Sequence, residues 1–102
     1  AFRKAFALNY KSNPDVYAVQ GYDAAQLLAA GLGAVKGAFT KRDAMLAAMN
    51  KTVVDSPRGK FTLSASHNPV QDMFLREAVG KNNEYKGVAV KALADPGRGC
   101  KM

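Results

Sequence analysis

The chain has 102 residues, 48% of them hydrophobic and 23% charged, which fits one globular domain and excludes a disordered or low-complexity segment. Its formal charge of +7 would permit nucleic-acid binding, but the basic residues are scattered and no aromatic residues alternate with them. No nucleic-acid partner is therefore expected. The longest weakly polar run, Ala24 to Val35, is shorter than the about 20 residues of a membrane span. No signal peptide opens the chain, but a mature exported protein lacks one too.

Two segments with helical periodicity open the chain. Aromatic residues four positions apart predict a first helix with one aromatic face, formed by Phe2, Phe6 and Tyr10. Pro14 predicts its end, because proline disfavours a helical residue before it. The strongest helix is predicted over residues 17–36, with Gly37 as its stop. Its apolar stripe, at i, i+3, i+4 spacing, comprises Ala24, Leu27, Leu28, Gly31, Leu32 and Val35.

A third, short helix is predicted after a polar start signal. Thr40 followed three residues later by Asp43 is typical of a capped helix start. The buried face is expected to comprise Met45, Leu46 and Met49. The pair Asn50-Lys51 ends the helix.

From Thr52 onward the pattern favours strands. Residues 52–54 are β-prone, residues 56–59 have the composition of a turn, and residues 60–63 alternate polar and apolar side chains as a half-buried strand does. A loop is expected over residues 64–69.

The remaining segments complete a mixed α/β chain. Residues 70–79 fit a helix and a strand nearly equally well, whereas residues 85–93 predict a strand after a turn at residues 81–83. A coil is expected from Asp95. Helices first and antiparallel-type strands afterwards favour segregated elements over repeating βαβ units.

No catalytic or metal-binding pattern stands out. The segment Gly31 to Gly37 resembles a phosphate-binding loop, but its spacing differs and it lies at a helix end. The residue types of a hydrolytic triad crowd into residues 64–72 without the sequence Gly-x-Ser-x-Gly, and His67 is interpreted as a turn or surface residue. No metal ligands gather at suitable spacing, and no cofactor is expected. The sequence therefore does not predict an enzyme.

Two further features leave alternatives open. Tyr17, Gln20 and Tyr22 stand near the start of the long helix, where unpaired N–H groups and amphipathic aromatic rings suit a small organic ligand, or where the rings simply pack the helix. Cys100 is the single cysteine and cannot form a disulfide within the chain. In an exported protein its partner lies in further sequence, or the thiol is free.

The segment Pro14 to Leu28, which reads PDVYAVQGYDAAQLL, resembles the branched-chain amino-acid-binding protein family of ABC importers. Further landmarks follow in the family's order at Arg42-Asp43, at residues 55–61, at residues 67–72 and at residues 75–77. The resemblance implies a type I periplasmic binding protein with two α/β lobes that close on a solute by a hinge motion. Residues 1–102 would be its carboxy-terminal part, since two lobes need more chain than this. It also implies that residues 70–79 form a strand paired with residues 85–93.

The resemblance implies capture of a branched-chain amino acid, or of a related small organic acid including an aromatic one, in the periplasm. The implied partners are this solute and the permease of an ABC importer. An aromatic residue ahead of the family's Tyr-Asp helix faces the cleft and matches Tyr17, with Gln20 and Tyr22 as further candidates. A fragment of such a protein is expected to form a homodimer through its exposed core or by strand exchange. The alternative is a ligand-sensing domain of a receptor or regulator with the same fold.

Overall fold

The computed structural model describes residues 1–95, so Cys100 lies outside the described residues. Three helices come first and two antiparallel strand pairs follow, as the sequence predicts. The helices are α1 (Phe2–Tyr10), α2 (Val16–Ala34) and α3 (Arg42–Lys51). The strands are β1 (Thr62–Leu63), β2 (Pro69–Val70), β3 (Met73–Val79) and β4 (Asn82–Val90).

The predicted aromatic face of α1 is confirmed. The ring centroids of Phe2 and Phe6 are 5.9 Å apart, and those of Phe6 and Tyr10 are 4.6 Å apart. The helix ends at Tyr10, and its cap residue Lys11 adopts a left-handed conformation with φ 53°. This reversal and the extended residues around Pro14 bring α2 back toward the aromatic face of α1.

The carboxyl end of α2 has a Schellman motif. The N–H of Gly37 donates to the carbonyl oxygen of Leu32 at 2.8 Å, and the N–H of Lys36 donates to that of Gly33 at 3.1 Å. The expected stop at Gly37 is therefore displaced by one position, because the left-handed residue just beyond the helix cap is Lys36, with φ 52°. Gly37, with φ 79°, follows it.

Helix α3 packs closely on α2 at a glycine. A Cβ atom on Gly31 would lie 2.6 Å from Cγ of Met49 and 3.1 Å from Cγ of Met45, so only a residue without a side chain fits there. The buried face predicted for α3 is only partly present: Met45 and Met49 face Gly31 and are half-buried, whereas Leu46 is 42% exposed.

The predicted cap of α3 at Thr40 was also wrong. Lys41 holds the cap position, and no side chain caps the helix. The physical reason is a tight turn in which the N–H of Lys41 donates to the carbonyl oxygen of Ala38, while the carbonyl oxygen of Lys41 accepts the first helical hydrogen bond, from Met45. Thr40 is left outside the helix.

The strand region forms two separate antiparallel pairs. Val54 and Phe61 bridge the turn at residues 56–59 through reciprocal hydrogen bonds of 2.8 and 3.1 Å, and β1 continues from this bridge to pair with β2. The sequence-predicted strand at residues 52–54 is therefore reduced to a single bridging residue. The ambiguous segment 70–79 contains β3, which pairs with β4 as the family resemblance implies.

The hairpin turn between β3 and β4 differs from the predicted turn at residues 81–83. Val79 pairs with Asn82, so the loop has two residues, Gly80 and Lys81. Gly80 adopts φ 60° and Lys81 has no positive φ, which fits a type II′ turn whose first position favours glycine. The predicted strand end at Leu93 was wrong as well, because the N–H of Ala92 turns to the carboxylate of Asp72 at 2.7 Å.

The apolar core of the described residues is small. The buried hydrophobic residues are Val35, Val54 and Phe61, of which only Val54 is fully buried. The accessible surface of 7972 Å² exceeds the about 5600 Å² expected for a compact chain of this mass. The radius of gyration, 16.1 Å, exceeds the about 13 Å of a compact domain of 100 residues. Much apolar surface, including Leu75 at 59% exposure and Leu8 at 73%, is therefore left uncovered by the described residues.

The hairpin of β3 and β4 is the least supported element. Its strands pair with each other and pack closely against no other described helix or strand. Isolated two-stranded hairpins are marginally stable in water, so a hairpin of this length needs a covering partner. The homodimer expected from exposed apolar surface and strand edges stays a prediction. No helix among residues 1–95 is both long and apolar enough to cross a membrane.

Candidate functional site

The amino end of α2 is held by a capping carboxylate. Oδ1 of Asp15 accepts a hydrogen bond of 2.8 Å from the N–H of Ala18, which satisfies one of the donors that every helix leaves unpaired at its start. Tyr17 follows within the first turn and is 79% exposed. Gln20 is also exposed and lies three residues further, so the two side chains are neighbours on one face of the helix.

Tyr22 lies on another side of α2. Tyr22 is five positions after Tyr17, so its side chain is rotated by about 140° around the helix axis relative to that of Tyr17. Its ring centroid is 4.8 Å from that of Phe2 in α1. The structure thus brings Tyr17 and Gln20 together and separates Tyr22 from them, with Tyr22 packed against the first helix.

A cavity of about 330 Å³ adjoins the amino end of α2. It lies between the starts of α1 and α2, the turn at residues 56–59 and the β3–β4 hairpin. Asp15, Val16 and Val19 line it at the start of α2, whereas Tyr17 and Gln20 do not, and three arginines line it from other elements: Arg3, Arg58 and Arg76. Sequence reasoning missed the cavity, because its lining residues are far apart along the chain.

A buried polar network fixes the turn at residues 56–59 against α2. Asp23 and Ser56 are only 4% and 6% exposed. The hydroxyl of Ser56 donates to Oδ2 of Asp23 at 2.8 Å and accepts from the N–H of Arg58 at 3.2 Å. The Arg58 guanidinium lies 3.5 Å from the same Oδ2. The network therefore places Arg58 at the edge of the cavity.

The network leaves two buried atoms without hydrogen-bond partners among the described residues. These are Oδ1 of Asp23 and Nε of Arg58, neither of which is among the atoms that form the ion pair between the two side chains. Sequence reasoning assigned no role to Asp23. The signal that could have identified Asp23 is its position inside the most apolar helix. A carboxylate buried in such a helix needs a partner, so a polar contact with another element could have been expected.

A second link ties α2 to the same loop. The Nε2 amide of Gln26 donates to the carbonyl oxygen of Asp55 at 3.0 Å, one helical turn beyond Asp23. The loop that carries Arg58 is thus held to α2 at two points, which limits its freedom to move.

The residues considered for catalysis do not form a site. His67 is exposed, as expected for a turn residue, with φ 63° and Nδ1 3.0 Å from Oδ1 of Asn50. Ser64 donates instead to the carboxylate of Asp95 at 2.8 Å. Among residues 1–95, no group of three His, Cys, Asp or Glu side chains could hold a metal ion.

A family profile described as periplasmic binding protein matches residues 1–83. The chain belongs to the periplasmic binding protein family. This membership confirms the expected family, which is not a family of enzymes. A search of curated proteins found no match.

A solved structure is closely similar to this chain. It is the solute-binding protein of an ABC transporter from R. palustris, in complex with benzoate. The two chains are 51% identical, with a TM-score of 0.92, over 99% of this chain. The match covers 28% of the relative's chain, so the present sequence corresponds to little more than a quarter of that protein. The mixed α/β fold with helices before antiparallel strands is confirmed.

Proposed function

We propose that this chain is the carboxy-terminal part of a solute-binding protein that captures a small organic acid in the periplasm and delivers it to the permease of an ABC importer. The observation that carries the proposal is the 51% identity, along 99% of the chain, to a solute-binding protein of an ABC transporter. Such similarity in both sequence and backbone supports a common role as well as a common fold.

We further propose an aromatic acid as the solute, in preference to a branched-chain amino acid. The relative was solved with benzoate. An exposed tyrosine at a helix start also suits an aromatic acid, because the ring offers a flat stacking surface and the helix end has a partial positive charge. Gln20, on the same face as Tyr17, offers an amide for hydrogen bonding to the acid.

The first prediction concerns solute choice. The full-length protein that contains this chain is expected to bind benzoate in isothermal titration calorimetry with at least about 10-fold higher affinity than leucine, a difference of about 1.4 kcal/mol. A preference for leucine would overturn the aromatic assignment and leave a role in solute capture in place. Absence of binding to both acids would overturn the proposed class of solute.

The second prediction concerns Tyr17. Replacement Tyr17→Ala in the full-length protein is expected to weaken benzoate binding by about 10-fold, because an aromatic contact is worth about 0.5–1.5 kcal/mol beyond the area that it buries. Tyr17→Phe, which keeps the ring, is expected to retain most of the affinity.

Tyr10→Ala is the matched control for Tyr17→Ala. Tyr10 is 69% exposed, close to the exposure of Tyr17, but it belongs to α1, where its ring packs on that of Phe6 with centroids 4.6 Å apart. Equal affinity losses in both variants would mean that the loss does not arise from contact between Tyr17 and the solute.

A further inference from the structure

The cavity at the start of α2 carries more positive than negative charge. Arg3, Arg58 and Arg76 line it together with a single carboxylate, that of Asp15. Oδ1 of Asp15 already caps α2, and the Arg58 guanidinium is paired with Asp23. Arg3 and Arg76 are both exposed, and neither forms an ion pair with any residue in the described part of the chain. Two cations at this cavity are therefore available to an anion from elsewhere.

The start of α1 adds to the positive potential of the cavity. Phe2 and Arg3 line the cavity from the first turn of this helix. No side chain caps α1 at Ala1, and no acidic residue lies in its first turn, although the N–H groups there carry a partial positive charge. An arginine in a first turn is unfavourable for the same reason. A carboxylate at this place would compensate both the helix end and Arg3.

The hairpin supplies the second available cation. Arg76 of β3 lies opposite Tyr85 of β4, and both residues line the cavity. The hairpin packs closely against no other described helix or strand, so it needs a covering partner. A segment that enters the cavity would contact α1, α2 and the hairpin together and would supply part of that cover.

The cavity fits an acidic side chain that has an apolar neighbour. Its wall includes the rings of Phe2 and Tyr85 and the side chains of Val16 and Val19. Its volume of about 330 Å³ is that of a small-ligand pocket, so it holds more than a single carboxylate. Apolar side chains beside unpaired arginines match a stretch of polypeptide in which an Asp or Glu adjoins an apolar residue.

We propose that Arg3 and Arg76 bind a carboxylate side chain of the same polypeptide, from a segment outside residues 1–102, which thereby joins the hairpin to α1. The inference rests on the proposed function only in taking this chain as part of a longer solute-binding protein. The match covers 28% of the relative's chain, so most of a protein of that length lies outside residues 1–102. Guanidinium groups bind carboxylates through parallel N–H donors, which fixes orientation as well as charge. A segment of the same polypeptide is favoured over a separate protein, because linked groups meet at a high effective concentration.

Carbodiimide crosslinking of the full-length protein with Arg76→Lys tests the contact. The reagent joins an amine to a carboxylate without a spacer and does not couple a guanidinium, so the unmodified protein is the matched control. In the monomer fraction, mass spectrometry is expected to find a crosslink from position 76 to an Asp or Glu outside residues 1–102. A crosslink from position 76 to Asp15 or Glu84 alone, or none at all, would overturn the inference. A crosslink confined to covalent dimers would assign the carboxylate to a second copy and would overturn it as well.

Thermal unfolding of the full-length protein without solute measures the effect on stability. Arg3→Gln and Arg76→Gln are each expected to lower the melting temperature by at least about 2 °C. The double variant is expected to lose less than the sum of the two shifts, because both arginines share one carboxylate. Lys81→Gln is the control, since it removes a positive charge from the turn of the same hairpin without touching the cavity, and no shift is expected. Equal melting temperatures of Arg76→Gln and Lys81→Gln would contradict the proposed contact.

Benzoate separates this inference from the proposed function. If the unmodified protein binds no benzoate in calorimetry and the crosslink forms in Arg76→Lys, the proposed class of solute fails and the inference stands. If saturating benzoate abolishes the crosslink, the arginines bind the solute instead of a side chain, and the inference is wrong although the proposed function stands.

Discussion

Replacement Asp23→Ala is expected to lower the free energy of unfolding of the full-length protein by about 3 kcal/mol. The carboxylate is 4% exposed, accepts the Ser56 hydroxyl at 2.8 Å and faces the Arg58 guanidinium at 3.5 Å. Its removal leaves a buried hydroxyl and a largely buried cation without their acceptor. Because the Arg58 side chain retains 24% exposure, water offsets part of this loss, and the estimate lies at the low end for broken buried pairs. Urea unfolding monitored by circular dichroism measures the change.

Two further variants test the role of the Asp23 carboxylate. Asp23→Asn keeps an acceptor for Ser56 and loses only the charge, so it is expected to cost less than Asp23→Ala. Asp43→Ala removes an exposed carboxylate from the first turn of α3, where its interaction with the helix dipole contributes about 0.3–1 kcal/mol. An Asp23→Ala loss no larger than that of Asp43→Ala would contradict the structural role of the buried network.

Replacement Gly31→Ala is expected to destabilise the full-length protein by about 1–3 kcal/mol, the usual effect of overpacking a close contact. The added Cβ would lie 2.6 Å from Cγ and 2.9 Å from Sδ of Met49. These atoms are in the middle of the methionine side chain, so relief requires a new rotamer or a shift of α3. The steric cost is expected to exceed the gain of about 1 kcal/mol that alanine brings in helix propensity.

A double-mutant cycle tests the cause of that destabilisation. In a Met49→Ala background, Gly31→Ala is expected to be neutral or stabilising, since the colliding atoms are absent. Gly33→Ala is the matched control in the same helix, because no described atom lies within 4 Å of its added Cβ, and it is expected to increase stability by up to about 1 kcal/mol. A Gly31→Ala loss that persists unchanged with Met49→Ala would contradict the close contact of α2 and α3.

Much of the fold follows from local patterns. The aromatic repeat of α1, the apolar stripe of α2 and the alternation in residues 60–63 each predict their element, because helices and strands present side chains with periods of 3.6 and 2. Several of the errors are at element boundaries, where neighbouring hydrogen bonds compete. Thr40 does not cap α3, because a tight turn that ends at Lys41 places Lys41 at the cap position. The hairpin turn begins at Gly80, because glycine adopts the positive φ that this turn requires.

The order of the elements and the type of most of them follow from the sequence alone, and its collinear landmarks point to the family. Which distant residues meet depends on the tertiary packing. Asp23 and Ser56 are 33 positions apart and share a buried hydrogen bond, and Arg58 and Arg76, which precede and follow β1 and β2 in the chain, line one cavity. Local periodicity carries no information about such pairs, because their proximity depends on how the turn at residues 56–59 packs against α2 and where the hairpin then leaves the chain. The residues of a single helix or strand determine which of its faces is apolar. A site formed between several elements depends in addition on how those elements pack together.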